Sequence, residues 1–383
     1  MTLASSTAGV REIPSPAGPG AGEPFLSVDN KGCLLMSWLE PVALGSTAVR
    51  FARFDGKWSQ PQTIVASQNF FINWADFPSI VGDAKGNLIA HWLQKSSSST
   101  YAYDVRYAVS RDEGRTWNRS MLLNRDSRKV EHGFASFVPR PEGGFAAVWL
   151  DGRQMPENKE EGEMSLRYAE LKPDGSHVRD IVLDKRTCEC CTTAMTRTND
   201  GFVIAYRDRS EKEIRDIVIA RVTPTQVIPP SLLHDDGWQT AGCPVNGPQI
   251  DARGNQVAAA WFTGAKNQSI VNVAFSEDGG KVFGKPIRID SGAPMGRVEL
   301  LLLPDNEALV VWMEGMGNAA QVSARRVSAA GRLGPVVKLA DSSAARSSGF
   351  PRAALIGARA YFAWTGPSTP KRVHVAVADL DGF

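Results

Sequence analysis

The sequence predicts an all-β fold, a seven-bladed β-propeller of four-stranded antiparallel blades. An apolar strand that ends in an aromatic residue recurs seven times, and its closing aromatics are spaced by 51 to 57 residues. Each repeat also contains four runs of β-branched and aromatic residues bounded by turn residues, which is typical of a propeller blade. The closing aromatics are Trp38, Trp92, Trp149, Tyr206, Trp261, Trp312 and Trp364.

The last repeat needs a strand from elsewhere, because the chain ends soon after its third strand at residues 374–378. Residues 10–13 are suited to supply it, which would close the ring and remove an exposed sheet edge. We therefore expect residues 1–23 to form an N-terminal arm that carries the closing strand. Residues 24–383 are expected to form a single propeller.

Composition narrows the range of partners. The chain has 43 Lys and Arg against 41 Asp and Glu, a formal net charge of +2, which gives no basic footprint for nucleic acid. No apolar run approaches the roughly 18 residues that a membrane span needs. The first residues lack the charged start and apolar stretch of a signal peptide. We expect a monomeric periplasmic or secreted protein with a small-molecule or glycan ligand, no nucleic acid and no membrane span.

A turn motif adds a resemblance. Residues 110–117, Ser-Arg-Asp-Glu-Gly-Arg-Thr-Trp, match the Asp-box pattern Ser-x-Asp-x-Gly-x-Thr-Trp at every fixed position. Residues 276–283 repeat it with Val for Thr and Phe for Trp. On these motifs the chain resembles the sialidase (neuraminidase) superfamily of Asp-box, or BNR-repeat, propellers. That resemblance implies a glycoside hydrolase with its site on the propeller axis. Familiar sialidases have six blades, so the resemblance also makes a six-bladed propeller an alternative to the seven-bladed one.

The residues that the resemblance implies for catalysis are only partly present. Arg11-Glu12-Ile13-Pro14 departs from the family's Arg-Ile-Pro motif by an inserted Glu, whereas Arg297 and Arg352 stand where two carboxylate-binding arginines could lie. The sequence identifies no Tyr with a partner Glu. The catalytic motif is therefore not intact, and whether the chain is a sialidase-like exo-glycosidase stays open.

Repetition separates scaffold from candidate function. Arginines that open the third strands recur and are interpreted as structural, namely Arg50, Arg106, Arg167 and Arg215.

The loops before the first strand and between the second and third strands converge on the axis, which makes their face the default ligand site. The candidate catalytic carboxylates there are Asp76, Asp151 and Asp208. The candidate ligand-binding residues are Arg153, Arg207, Arg209, Arg297, Glu299, Glu314 and Arg352. The alternative is a solvated rim of ion pairs.

A cysteine cluster occurs once. Cys188, Cys190 and Cys191 precede the fourth repeat, and Cys243 occupies the equivalent loop before the fifth. Thiolates suit copper or zinc, so these four residues are a candidate metal site, with His132 from the matching loop of the third repeat in support. No other cofactor is predicted. The alternative is disulfides, which four cysteines can form in three ways.

The sequence is compatible with three functions. The leading hypothesis is an extracytoplasmic propeller that binds a glycan on its axial face, with glycosidase chemistry from paired carboxyl groups. The second is a thiolate metal-binding propeller. The third is a scaffold for protein interactions without catalysis.

Overall fold

The computed structural model describes residues 9–156 and 162–383 of the chain. Within these ranges the chain forms 28 strands in seven four-stranded antiparallel sheets, each of which is one blade. The predicted seven-bladed all-β propeller is confirmed, and the six-bladed alternative does not hold for the described residues. Residues 1–8 of the predicted N-terminal arm lie outside the described residues.

The blades follow one another along the chain, apart from a first short strand, β1 (Arg11–Ile13), that belongs to the last blade. Blade one comprises β2 (Gly22–Val28), β3 (Leu34–Pro41), β4 (Thr47–Phe54) and β5 (Gln62–Ser67). Blade two comprises β6 (Ser79–Gly82), β7 (Leu88–Lys95), β8 (Tyr103–Ser110) and β9 (Met121–Leu122). Blade three comprises β10 (His132–Pro139), β11 (Phe145–Asp151), β12 (Met164–Leu171) and β13 (His177–Thr187).

The second half of the ring has the same order. Blade four comprises β14 (Ala194–Thr198), β15 (Gly201–Arg207), β16 (Ile217–Val222) and β17 (Val227–Leu232). Blade five comprises β18 (Gln249–Arg253), β19 (Gln256–Thr263), β20 (Ile270–Ser276) and β21 (Ile287–Arg288). Blade six comprises β22 (Pro294–Leu302), β23 (Ala308–Met316), β24 (Ala319–Val327) and β25 (Val337–Ser343). Blade seven comprises β26 (Arg352–Ile356), β27 (Arg359–Thr365), β28 (Val373–Asp379) and β1. Short 3-10 helices span Ala43–Gly45, Ala265–Asn267, Arg346–Ser348 and Leu380–Gly382.

The N-terminal strand closes the ring as predicted. β1 pairs antiparallel with β28, with Arg11 opposite Val377 and Ile13 opposite Val375. Ile13 is buried in the same apolar cluster as Val375, so the strand is held by packing as well as by the sheet. Closure by a strand from the other terminus leaves no unpaired edge on β28.

The closing aromatics form the core of the blades. All seven are buried on the second strand of a blade, where neighbouring blades cover both faces of the sheet. Three of the indoles also donate their N–H to a carboxylate two residues further on. These pairs are Trp38 with Glu40 at 2.8 Å, Trp149 with Asp151 at 2.8 Å, and Trp312 with Glu314 at 2.5 Å. A Trp-x-acid pair is therefore a recurring element of this scaffold.

The two segments that match the turn motif follow the third strands β8 and β20. The carboxylate of Asp112 accepts hydrogen bonds from the backbone N–H of Thr116 at 2.9 Å and from its hydroxyl at 2.6 Å. Asp278 accepts the backbone N–H of Val282 at 3.0 Å in the same way. These turns lie at the opposite end of the strands from the predicted ligand site, which gives them a structural role.

Candidate functional site

The first strands of the blades contact one another around the axis, so the loops that precede them surround its opening. We call this side of the molecule, which also carries the loops between second and third strands, the ligand face. A cavity of about 320 Å³ opens on it between blades two and five, and we call it the face cavity. Its lining residues are Ser99, Thr100, Tyr101, Lys129, Val130, Glu131, Met155, Pro156, Glu189, Cys190 and Cys243.

Glu131 is held in the wall of the face cavity by a buried tyrosine. The hydroxyl of Tyr103, on the neighbouring blade, donates a 2.6 Å hydrogen bond to Glu131 Oε1. Tyr103 is fixed by stacking on Phe71 with ring centroids 3.9 Å apart. Burial raises the pKa of Glu131 to about 7, the Glu189 carboxylate raises it as well, and the hydrogen bond from Tyr103 opposes both. Burial also raises the pKa of Tyr103, so this residue acts as a hydrogen-bond donor.

Asp76 lies behind this pair in a smaller cavity on the propeller axis, of about 120 Å³. It is buried, and its Oδ2 accepts the backbone N–H of Phe134 at 2.7 Å. Burial, with a contribution from the Glu131 carboxylate, raises the pKa of Asp76 to about 8. A Cβ at Gly133 would lie 2.2 Å from Asp76 Oδ2 and 2.9 Å from Cε2 of Tyr103. Only glycine therefore allows these side chains to come so close at this position.

Glu189 supplies a second carboxylate to the face cavity. Its Oε2 accepts from Arg215 Nη1 at 3.0 Å, and Arg209 Nη1 lies 3.6 Å away. Arg209 itself is bound mainly to Glu213, at 2.9 Å. The cavity thus combines a carboxyl group that retains its proton near neutrality with a carboxylate that is paired with guanidinium groups. Pairs of carboxyl groups in contrasting environments can divide acid and base roles.

The three predicted catalytic carboxylates are not brought together. Asp76 joins Tyr103 and Glu131, as described. Asp151 is fully buried and accepts from Trp149 and from Arg153 Nε at 2.6 Å, so it belongs to the recurring Trp-x-acid pairs. Asp208 lines a groove between the outer strands β13 and β17, away from the axis, where burial raises its pKa to about 6. Of the three, Asp76 alone adjoins the face cavity residues.

The side chains of the predicted ligand-binding residues form hydrogen bonds and ion pairs with other residues of the protein. Arg207 is 1% exposed and donates to three backbone carbonyls. Arg297 donates to Ser348 Oγ at 2.8 Å, and Arg352 pairs with Glu299 at 2.9 Å. Arg153 binds Asp151, Arg209 binds Glu213, and Glu314 accepts from Trp312 and from the backbone N–H of Ala293. Arg207, Arg297, Arg352, Glu299 and Glu314 are buried, so these residues do not form the solvated rim of the alternative either.

The cysteines are brought together, as their loop positions predict. Cys190 and Cys243 form a disulfide with Cα atoms 6.1 Å apart, which links the loop before blade four to the loop before blade five. Cys188 and Cys191 are free thiols and are buried. His132 belongs to a different cluster, in which its Nε2 lies 3.1 Å from Asp126 Oδ2 and 4.0 Å from Asp151 Oδ1. The potential ligand groups therefore form two separate clusters, one of sulfur atoms and one around His132.

Sequence reasoning missed Tyr103 and Glu189 and did not single out Glu131. Tyr103 opens the third strand of blade two, and Glu131 immediately precedes the first strand of blade three. Both positions therefore lie on the ligand face, in neighbouring blades. This shared position in the repeat is the sequence signal that could have brought the two residues together. Tyr103 and Glu131 thus form a hydrogen-bonded pair, with the tyrosine buried behind the glutamate.

No protein-family model matches the chain, and no curated protein matches it. Solved structures do. An ulvan lyase of polysaccharide lyase family PL25, bound to -[GlcA(1-4)Rha3S]-, matches at a TM-score of 0.61 and 11% identity over 97% of this chain and 96% of its own. The Penicillium chrysogenum α-L-arabinanase complexed with arabinobiose matches at 0.54 and 11% over 100% and 99%. The phage phi92 endosialidase matches at 0.51 and 9% over 97% and 69%. The TM-scores show that the chain shares the fold of these three proteins, and identities this low show nothing beyond the fold.

The raised pKa values predict how stability depends on pH. The folded chain keeps protons on Glu131 and Asp76 up to about pH 7 and 8, whereas unfolded carboxyl groups release theirs near pH 4. Between these limits the folded state binds more protons, so stability falls as the pH rises. We expect the melting temperature to drop by on the order of 5 °C from pH 5 to pH 9.

The variant Asp76→Asn cannot ionise and should show a shallower fall in melting temperature over this range, measured by differential scanning fluorimetry. Asp341→Asn, which changes a carboxylate that is 84% exposed, is the matched control and should follow the original protein. Parallel pH curves for Asp76→Asn and the original protein would contradict the prediction.

Proposed function

We propose that the face cavity binds a glycan and cleaves a glycosidic bond, with Glu131 as proton donor and Glu189, which is paired with Arg215, as the second catalytic carboxyl group. The observation that carries this proposal is the single cavity that contains both groups. Glu131 is partly buried, accepts a hydrogen bond from Tyr103 and has a pKa raised to about 7. Glu189 forms an ion pair with Arg215. Glycoside-cleaving enzymes commonly need one carboxyl group that is protonated and one that is not.

The roles follow from the environments. Glu131 can protonate the leaving oxygen because its proton remains bound near neutral pH. Glu189 can act on water or on the sugar as a base or nucleophile, or stabilise positive charge that develops on the ring. Tyr103 and Asp76 do not reach the cavity surface, and we assign them to positioning Glu131 and tuning its pKa. The exposed ring of Tyr101 offers an apolar face to a sugar, and Lys129 offers a charge on the same rim.

The neighbours support a glycan as the ligand class. The ulvan lyase and the arabinanase are both seen with saccharides bound, and both share this chain's fold over nearly its whole length. Their low identity transfers no residue roles, so the assignment of Glu131 and Glu189 rests on the geometry of this chain.

We also propose that the protein works in the periplasm or outside the cell. The Cys190–Cys243 disulfide supports this location, because disulfides persist in oxidising compartments. The described residues contain no helix long and apolar enough to cross a membrane.

A substrate panel tests the proposal. The protein would be incubated with fluorogenic glycosides, including a sialoside, and with neutral and uronate-containing polysaccharides, and the products would be separated by chromatography. Binding of the same saccharides would be measured by calorimetry. We expect cleavage of at least one glycan class and binding to the same class. Absence of both turnover and binding across the panel would rule the proposal out.

A further inference from the structure

Four cysteines lie at the edge of the ligand face, and the sulfur atoms of three of them, Cys188, Cys190 and Cys191, lie within 4.8 Å of one another. Cys188 Sγ lies 3.5 Å from Cys191 Sγ and 3.9 Å from Cys190 Sγ, and Cys190 is joined to Cys243. They come from two neighbouring loops, the one before β14 and the one before β18. A cluster of this kind has no counterpart in the other inter-blade loops of the described chain, since the remaining cysteine, Cys33, lies in the turn before β3.

The two separations from Cys188 Sγ are close to those of a tetrahedral thiolate site, whereas Cys243 Sγ is bonded to Cys190 and must separate from it to become the fourth ligand. Zinc–sulfur bonds of about 2.3 Å in a tetrahedron place neighbouring sulfur atoms ~3.8 Å apart. The separations of 3.5 and 3.9 Å around Cys188 lie on either side of this value. Cys188 and Cys191 are 1% and 2% exposed, whereas Cys190 and Cys243 line the face cavity, so an ion bound by all four would be buried on one side and would face the cavity on the other.

The surroundings of the sulfur atoms supply positive charge and hydrogen-bond donors. Arg215 Nη1 donates to Cys188 Sγ at 3.2 Å, and the backbone N–H of Asn246 donates to Cys191 Sγ at 3.4 Å. The guanidinium of Arg207 also interacts with Cys191, through its charge and a hydrogen bond. A divalent ion with four thiolates keeps a double negative charge, which the two buried guanidinium groups offset. Such outer contacts orient metal ligands and set the affinity of a site.

We propose that, once the Cys190–Cys243 disulfide is reduced, Cys188, Cys190, Cys191 and Cys243 bind one zinc ion as four thiolates. A dithiol reductant passes two electrons to the disulfide, which becomes two thiols, while the reductant becomes its own disulfide. Binding of Zn²⁺ then releases the protons of the four thiols. In either state the loops before blades four and five are joined, by the disulfide when oxidised and by the ion when reduced.

The test is metal binding by the whole protein under anaerobic conditions. The protein is reduced with a dithiol, freed of reductant, and titrated with Co²⁺ as a spectroscopic substitute and with Zn²⁺. We expect one equivalent of Co²⁺ with the ligand-field bands and sulfur-to-cobalt charge transfer of a tetrahedral thiolate site, and its displacement by one equivalent of Zn²⁺. Protein that keeps its disulfide should bind at least tenfold less tightly.

Variants identify the ligands. Cys188→Ser and Cys243→Ser should each weaken Co²⁺ binding at least tenfold, whereas Cys33→Ser and His132→Gln should leave it unchanged. Arg215→Met keeps all four ligands and should weaken binding without altering the number of thiolates seen in the spectrum. Circular dichroism and melting curves confirm that each variant is folded, and a variant that does not fold is replaced by protein alkylated at the same cysteines.

Three results would overturn the proposal. The first is less than one tenth of an equivalent of Co²⁺ or Zn²⁺ on reduced protein. The second is loss of binding in His132→Gln with binding intact in Cys188→Ser. The third is binding of Cu⁺ alone, with thiols still open to a thiol reagent. Glycan cleavage is measured separately on the oxidised, metal-free protein, so failure of either proposal leaves the other standing.

Discussion

Replacement of Glu131 by glutamine is expected to lower kcat/KM for glycan cleavage by about 10²–10⁴-fold, the usual contribution of a positioned acid or base. Glutamine keeps the size of the side chain and can still accept the hydrogen bond of Tyr103, but it has no proton to donate to a leaving group. The measurement is the initial rate on whichever glycan the panel identifies. Because the face cavity keeps its shape, saccharide affinity by calorimetry should change by less than tenfold.

The control is Glu142→Gln, which changes a glutamate whose side chain is 59% exposed in the β10–β11 turn, at the end of blade three away from the cavity. Its rates should equal those of the original protein. If Glu131→Gln retained full activity, Glu131 would not be the proton donor.

Tyr103→Phe separates positioning from catalysis. The hydrogen bond from Tyr103 favours the ionised form of Glu131, so its removal raises the pKa of the glutamate further. The alkaline limb of the pH–rate profile should therefore move to higher pH, with a smaller loss of rate than in Glu131→Gln. A merely structural role for Tyr103 would reduce the rate without moving the limb.

Replacement of Arg207 by methionine is expected to lower the free energy of unfolding by about 3–5 kcal/mol, because a buried carbonyl left without a donor costs about 1–3 kcal/mol. The guanidinium donates to the carbonyls of Asn246, Arg215 and Phe262 and stacks on Trp238 at 4.7 Å. Methionine fills much of the volume but offers none of these hydrogen bonds. Equilibrium denaturation in urea, followed by tryptophan fluorescence, measures the change.

This variant also decides between the two roles considered for Arg207. Arg332→Met, at a side chain that is 81% exposed, is the control and should leave the unfolding curve unchanged. If Arg207→Met unfolded like the original protein but lost saccharide binding, Arg207 would be a ligand-binding residue, as its loop position first indicated.

The contacts of the recurring residues show how far repetition along the chain can guide a functional assignment. The rule that recurring residues are scaffold holds for the tryptophans and explains Asp151 and Glu314, since both are partners of a recurring tryptophan. Arg215 shows its limit. Its position at the start of a third strand predicts a structural role like that of the other recurring arginines, yet it contacts Cys188 and Glu189 in the unrepeated cysteine loop. Position in a repeat does not reveal what a long side chain reaches in the next loop.

Much of the fold follows from the sequence alone, and the reason is periodicity. Each blade buries its own second strand between two neighbours, so the same apolar pattern and closing aromatic return at nearly equal intervals. The missing fourth strand of the last repeat required a partner from the N-terminus, and β1 pairs with β28 as that argument predicts. The loop positions of Cys190 and Cys243 were likewise enough to bring them to one edge, although not to choose their pairing.

The candidate site was decided by tertiary structure. Tyr103 and Glu131 lie 28 residues apart on different blades, and Glu189 comes from a third. Their chemistry depends on burial, on Gly133 leaving room for Asp76, and on which carboxylates already have an indole or guanidinium partner. A sequence pattern specifies which face a residue approaches, because strand direction and repeat register are local properties. Which side chains then share a cavity depends on the packing of non-repeating loops from several blades, and no single repeat contains that information.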